Sequence, residues 1–389
     1  MLVLHKKRIA ARANAALLAI LFLASAAASA HTFTTLYNFT GGVDGGNPVA
    51  GLVQDSHGNL YGTTSSGGAY NLGVVFKVDT AGKETVLHSF KGGKKDGASS
   101  YTPLLLASDG SLYGTTVFGG AHNYGVVFRI DTTGKERIVY SFKGGTTDGC
   151  YPYQGLIEDK AGNFYGTTAG CATQGDGTVF KLTKEGKDQV LWNFNSDNEP
   201  GAYPFYGHLL MDRDGTLHGV TNLYQRDMGT GVVYQLTKGG ALTEWLFNDT
   251  DGCSPFGTTV MDESGNVYGT AAACGDPGYG GTVWQVAPDG TWSMVHDFVY
   301  GNADGCYPLA GPLRDSDGNL YGNTSSCGAY GYGTLWEFSN SGGYTLTHDF
   351  AYTDGSYPVG ELLRDSAGKL YGTAYQGGSG GYGTVWVYK

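Results

Sequence analysis

The chain has 389 residues, including 66 Gly and 28 Tyr, with 24 Lys+Arg against 35 Asp+Glu. Glycine at more than twice its usual share of about 7% excludes long helices, where each interior Gly costs about 1 kcal/mol, and a hydrophobic content of 41% excludes a disordered polymer. The acidic balance, with no Lys/Arg cluster, excludes the basic footprint that nucleic-acid binding requires.

Residues 1–30 read as a signal peptide: Lys6, Lys7, Arg8 and Arg12, an apolar run from Ala15 to Leu23, then Ala28-Ser29-Ala30 as the cleavage site. No Cys adjoins that site, and no later stretch is apolar enough to span a bilayer. The expected product is a secreted, extracellular or periplasmic monomer, with one domain over 32–389.

From there the chain repeats itself about every fifty residues, a period that points to a propeller or a solenoid. A Tyr-Gly element recurs at Tyr61, Tyr113, Tyr165, Tyr268, Tyr321 and Tyr371, with His218 in the fourth copy. A second element ends at Phe76, Phe128, Phe180, Tyr234, Trp284, Trp336 and Trp386, and a third at Phe39, Phe90, Phe142, Phe194, Phe247, Phe298 and Phe350. Asp-x-x-Gly turns such as Asp55–Gly58 and Asp79–Gly82 separate them, with Gly supplying the positive φ of a short hairpin. Each repeat therefore reads as four strands. The segment Phe33–Phe39 matches a fourth strand, whereas the last repeat stops after its third. Pairing the two closes a ring and removes its free edges, so the expected fold is an all-β, seven-bladed β-propeller closed by the N-terminal strand.

Six cysteines fall into three couples: Cys150 with Cys171, Cys253 with Cys274, and Cys306 with Cys327. The members of each are 21 residues apart, and repeats three, five and six hold both while the others hold neither. Six cysteines allow fifteen connectivities, and this all-or-none pattern selects three intra-blade disulfides, each worth about 3 kcal/mol on the chain-entropy model. The midpoint of each couple falls inside the Asp-x-x-Gly turn, which sets the two residues opposite each other on the first hairpin. The spacing is too long for a structural zinc site. The bridges also mark the side of the ring on which the long loops meet, near its central mouth.

The combined Leu-Tyr-Gly-Thr-Thr and Gly-Thr-Val-Phe elements resemble the Gloeo-Verruco ("GloVer") tandem repeat of exported bacterial proteins, and the Asp-x-x-Gly-Asn-Leu-Tyr hairpin looks like that of NHL-type propellers. The resemblance spans essentially the whole mature chain. It implies an extracellular or cell-surface protein and carries over no catalytic residues.

Two groups of residues are candidates for a site. An Asp-Gly pair opens the mouth loop at Asp44, Asp96, Asp148, Asp251, Asp304 and Asp354, and a Tyr ahead of a Pro follows at Tyr101, Tyr151, Tyr203, Tyr307 and Tyr357. Such a ring can grip sugar hydroxyls or hold Ca2+ on oxygen ligands, although turn chemistry is the simpler account. Repeat four breaks the pattern with His218 for Tyr and His208 where other repeats have Gly51, Gly155 and Gly311. Extending the cysteine register places these histidines face to face, where they can hold a transition metal with Asp212 or Asp227. His88, His296 and His348 recur at one blade position and read as structural. No nucleophile elbow, zincin helix, phosphate loop or dinucleotide fingerprint is present, and no cofactor beyond Ca2+ or a transition metal is suggested. The expected function is a binding or scaffold propeller that recognises a glycan or surface protein through its mouth loops. The alternative is a propeller enzyme, a glycan lyase, hydrolase or lactonase, with its site in the channel.

Overall fold

The computed structural model describes residues 31–389 apart from 174, 196–200, 206–207, 223–230, 249–251, 276–278 and 302–303. The proposed signal segment, Asp227 and Asp251 therefore lie outside the described residues.

Each repeat forms one four-stranded antiparallel sheet, and there are seven. In the first blade the strands run outward from a short inner one, Val53–Gln54, through Leu60–Thr63 and Val74–Val78 to Glu84–Ser89. The ring closes as expected: Phe33–Asn38 is the outer strand of the last blade, antiparallel to Thr384–Tyr388 with Phe33 opposite Tyr388 and Asn38 opposite Thr384. Among the described residues the only helix is a single 3-10 turn, Gly93–Lys95, and none is long and apolar enough to cross a membrane.

The recurring elements explain how blades stack. The ring within the third strand lies over the Gly of the Tyr-Gly element, so that a Cβ at Gly62, Gly114, Gly166, Gly219, Gly269, Gly322 or Gly372 would stand under 3.0 Å from it. The closing Phe of one blade then meets that ring in the next blade at a steep angle. Centroid distances are 5.0 Å for Phe39–Phe76, 5.3 Å for Phe90–Phe128, 5.2 Å for Phe142–Phe180 and 5.3 Å for Phe194–Tyr234. They are 5.4 Å for Phe247–Trp284, 5.9 Å for Phe298–Trp336 and 5.6 Å for Phe350–Trp386. Edge-to-face pairs of this kind add about 0.5–1.5 kcal/mol to the apolar burial.

Nearer the axis, a side chain two residues after the Tyr reaches the inner segment of the next blade. Thr63, Thr115, Thr270 and Thr373 donate to the carbonyls of Thr102, Gln154, Ala310 and Ala50, and the Asn323 amide donates to that of Gly360. The first hairpin is locked locally: Asp55 accepts from the Asn59 side chain, the Tyr61 hydroxyl and backbone N–H groups. Asp159, Asp262 and Asp315 repeat that arrangement with Tyr165, Tyr268 and Tyr321.

All three expected disulfides are present. Cys150 is bonded to Cys171, Cys253 to Cys274 and Cys306 to Cys327, each with its Cα atoms 5.3 Å apart. The expected register, however, is one residue out. Cys150 stands opposite Gly170, Cys253 opposite Ala273 and Cys306 opposite Ser326, so Cys171, Cys274 and Cys327 each lie one place beyond the residue facing their partner. The chain turns left-handed there, with φ of 64° at Cys171 and 62° at Cys274 and Cys327. Repeats one, two and seven have Gly67, Gly119 and Gly377 at that place, also at positive φ, where glycine is the default residue. The second cysteine of each bridge therefore occupies a glycine position.

Two substitutions test the joint. Gly114→Ala places a Cβ 2.5 Å from the Phe128 ring, an overpacking that costs about 1–3 kcal/mol. Phe142→Ala empties a fully buried site at a cost of about 3–5 kcal/mol. Thermal denaturation of the oxidised protein should show both midpoints lowered, the second more than the first.

Candidate functional site

The mouth loops enter each blade through one left-handed residue: Asn47, Ser99, Tyr151, Tyr203, Ser254, Tyr307 and Tyr357 all have φ between 54° and 59°. Two positions later comes a collar around the channel, formed by Val49, Tyr101, Tyr153, Phe205, Phe256, Leu309 and Val359. It is aromatic on blades two to five and aliphatic on six, seven and one. Tyr101 and Tyr153 lie 5.9 Å apart, and Tyr153 and Phe205 5.2 Å. Within the collar opens a cavity of about 580 Å³, lined by Tyr101, Phe256, Leu309, Tyr357, Tyr375, Gln376 and Glu361 among others. This wall is mostly apolar with a few polar groups, the usual make-up of a small-molecule site.

Of the predicted tyrosines, Tyr101 and Tyr357 line the cavity. Tyr151, Tyr203 and Tyr307 serve the turn, packing beside Tyr124, Phe205 and Tyr300 at 5.7, 6.0 and 5.8 Å. Tyr101 belongs with Tyr153 in the collar, since Ser99 holds the left-handed position in its repeat.

None of the described Asp-Gly carboxylates lines the cavity; each binds inside its own loop. Asp44 accepts from the Tyr37 hydroxyl at 2.8 Å and from Thr40 N–H at 2.9 Å. Asp148 accepts from the Tyr140 hydroxyl and from the N–H groups of Lys143 and Gly149, all at 2.8 Å. Asp96, Asp304 and Asp354 meet His88, His296 and His348 at 3.1, 3.6 and 3.1 Å. The recurrent histidines are thus counterparts of Tyr37 and Tyr140.

The two histidines of repeat four are not brought together. His218 is opposite Leu210 in the ladder, because the strand breaks between the mouth and the first hairpin and the cysteine register does not carry through. His218 is buried and pairs through Nε2 with Asp212 at 3.4 Å, as Tyr61 does with Asp55. Burial lowers its pKa, with Asp212 opposing.

His208 instead joins a cluster at the channel waist. The residue four before the hairpin Asp, whose place Ala107 takes in repeat two, is Gly51, Pro103, Gly155, His208, Thr258, Gly311 or Glu361, and the three that carry functional side chains touch one another. The Thr258 hydroxyl donates to Glu361 and lies 3.0 Å from His208 Nδ1, which is 3.2 Å from the other Glu361 oxygen. Since Thr258 gives its proton to Glu361, Nδ1 carries one and points it at both oxygens. Burial pushes the His208 pKa down, but the Glu361 charge and hydrogen bond outweigh it and raise it. Burial raises Glu361 less than His208 and Thr258 lower it. The His208 side chain keeps 33% of its surface exposed and Glu361 17%. The result is a water-accessible imidazole oriented by a carboxylate, with Glu361 at the cavity wall. Thr258, Glu361, Tyr375 and every collar residue but Tyr101 escaped the sequence reading; position-by-position comparison of the inner segments is the signal that finds Thr258, Glu361 and the collar.

The family model for the Gloeobacter/Verrucomicrobia repeat matches residues 21–169 and 152–386. Among solved structures, the extracellular domain of what is described as a hybrid two-component system from B. thetaiotaomicron is 14% identical, with a TM-score of 0.58 over 92% of this chain and 41% of that one. The present chain thus spans less than half the length of that match. PorZ, a bacterial surface component of the type-IX secretion system of Porphyromonas gingivalis, is 16% identical with a TM-score of 0.51, covering 87% of this chain and 46% of its own. A gluconolactonase from Xanthomonas campestris is 13% identical with a TM-score of 0.48, covering 92% and 89%. At these identities the likeness is one of fold. No curated protein matches the chain.

Two carboxyl groups give stability a pH dependence. Burial, then the charge of Asp44, pushes Glu84 up to about 7, and burial, then the charge of Asp148, pushes Asp188 up to about 7. The unfolded chain loses those protons near the ordinary carboxylate value of about 4, so their stabilisation is complete below about pH 4 and is lost as pH rises through about 7. Asp55 works in the opposite window: burial raises its pKa, but hydrogen bonds led by Asn59 bring it to about 2, and its contribution is lost only as pH falls through that value. Glu84→Gln and Asp188→Asn should flatten the decline in thermal midpoint between about pH 4 and pH 7. A wild-type midpoint that climbs across that range would contradict the assignment.

Proposed function

The chain belongs to the Gloeobacter/Verrucomicrobia repeat family, and for this member we propose an exported binding propeller that takes the end of a glycan in its central mouth. The rings of Tyr101, Phe256, Tyr357 and Tyr375 around a cavity of about 580 Å³ carry this reading. Phenyl and phenol rings offer flat apolar faces for sugar rings, while Gln376, Glu361 and the hydroxyls of Tyr101, Tyr357 and Tyr375 offer hydrogen bonds to sugar hydroxyls. The three disulfides support an extracellular or periplasmic location. A sequence without nucleic-acid chemistry and a fold whose long loops gather at one opening fit the same picture.

A second reading is favoured by one observation, the His208–Glu361 pair at the waist. An imidazole held by a carboxylate is the arrangement of a general base, and it suits hydrolysis of a bond in the bound ligand.

Depletion of the mature, oxidised protein by a panel of insoluble polysaccharides and cell-wall fractions tests the first reading and separates it from the second. Saturable binding to a polysaccharide without release of new reducing ends or other fragments is the expected result. Tyr101→Ala and Tyr357→Ala should each weaken it about 2- to 12-fold, and Tyr307→Ala, outside the cavity, should leave it unchanged. Fragment release abolished by His208→Ala would establish the enzyme instead. Absence of saturable binding to every polysaccharide would sink the glycan reading.

A further inference from the structure

Above the aromatic core, five of the joints between blades hold, among the described residues, a small polar cluster built from three segments. One residue comes from the outer strand of the earlier blade, one is the Asp of the mouth loop, and one begins the outer strand of the later blade. Between blades seven and one these are Tyr37, Asp44 and Glu84; between two and three they are Tyr140, Asp148 and Asp188. In both, a phenol faces two carboxyl groups, and the second has a buried oxygen without a hydrogen-bond partner, Glu84 Oε1 or Asp188 Oδ1. The later joints pair an imidazole with one carboxylate and an aromatic ring: Tyr344 stacks on His296 at 4.2 Å, and Phe33 on His348 at 3.9 Å.

The joint between blades one and two is different. Among the described residues it alone combines an imidazole with two carboxylates: His88, Asp96 and Glu136 each offer a ligand atom, and these atoms lie within 4.8 Å of one another. His88 Nε2 is 3.1 Å from both Asp96 oxygens, and Glu136 Oε1 is buried without a partner. Asp96 is fixed from behind by the N–H groups of Lys91 and Gly97 at 2.8 and 2.7 Å. The Lys91 ammonium, whose charge acts on Glu136, sits 5.7 Å over the Tyr70 ring.

We propose that His88, Asp96 and Glu136 form a binding site for a first-row divalent transition cation, of which Zn2+ is the type, clamping blade one to blade two. One imidazole nitrogen and two carboxylate oxygens suit such an ion, whereas Ca2+ asks for six to eight oxygens. Ligand atoms on one zinc stand about 3.4 Å apart, so small rotations of His88 and Glu136 close the set, and a water takes the fourth place. The ion replaces the His88–Asp96 hydrogen bond and gives the orphaned Glu136 oxygen a partner. It also works where the covalent staples do not, since the disulfides lie in blades three, five and six.

The test uses the oxidised protein stripped with chelator, titrated with Zn2+ by calorimetry and with Co2+ by visible absorption. The proposal expects one equivalent bound and a higher thermal midpoint with metal. Glu136→Gln should weaken binding about 100-fold or more, beyond the usual effect of losing an outer-shell partner. His88→Tyr copies the residue of the neighbouring joints, so it should keep a cooperative melt while losing the metal. Glu84→Gln and Asp188→Asn, at the phenol joints, should leave stoichiometry at one. No Zn2+ binding, binding unchanged in His88→Tyr and Glu136→Gln, or binding lost on His208→Ala would each overturn it.

Discussion

In every blade an aromatic ring lies so close over a glycine of the adjoining strand that no Cβ fits beneath it, and the closing Phe of the preceding blade meets that ring edge-on. The glycine lets the ring drop into the sheet, which leaves room for the next blade to approach. A flat ring then gives the incoming Phe an edge-to-face geometry that is directional as well as apolar. Seven such contacts, all on buried side chains, set both the tilt and the spacing of the blades. The closing strand is part of the same device, because Phe39 supplies the ring contact for blade one that no other segment provides.

With packing settled by that triad, the layer above it is free to vary. The mouth-loop Asp keeps its place at Asp44, Asp96, Asp148 and Asp354 because backbone N–H groups hold it. Its neighbours change from phenol to imidazole and from carboxyl to aromatic ring around the circle. The differences are chemical rather than steric, since each partner has to satisfy the Asp and fill a similar space. Half-buried acids such as Glu84 and Asp188 hold their protons up to about pH 7 through burial and the charge of the neighbouring Asp, whereas His88 meets Asp96 as a polar pair.

The architecture was legible because it is periodic. Three elements repeated seven times give strand count, blade count and closure from spacing alone, and the paired absence of cysteines from four repeats selects the disulfides. Their exact register was not legible, because the left-handed turn at Cys171, Cys274 and Cys327 adds a residue that even spacing hides. The candidate site was legible only in part. Tyr-Pro catches the eye, yet the Tyr there is held at positive φ by the backbone path, and of Tyr151, Tyr203, Tyr307 and Tyr357 only Tyr357 reaches the cavity wall. Tyr101 entered the expected set through its nearness to Pro103, although it sits in a different register from Tyr151. His208 stood out correctly as a break in the repeat. Its partners did not, because Thr258 and Glu361 come from other blades and meet it only when the ring closes. A pairing register read from the cysteines could not reach it, since the inner strand is interrupted between the bridge and the hairpin.

The waist shows how a repeat protein separates what folds it from what it does. Gly51, Gly155, Gly311 and Pro103 demonstrate that small or compact residues satisfy this crowded level: a Cβ at Gly51 would meet the Glu361 backbone, and one at Gly155 the Pro103 ring. Placing an imidazole and a carboxylate there costs desolvation that their attraction barely recovers, so packing gives no reason for them. The three departures occur on different blades, and yet their side chains hydrogen-bond to one another. The aromatic arc above makes the same distinction, because the propeller closes equally well over Val49, Leu309 and Val359 on its other side. The rings on blades two to five therefore give the mouth a direction, and two of them, Tyr101 and Phe256, share the cavity wall with Glu361.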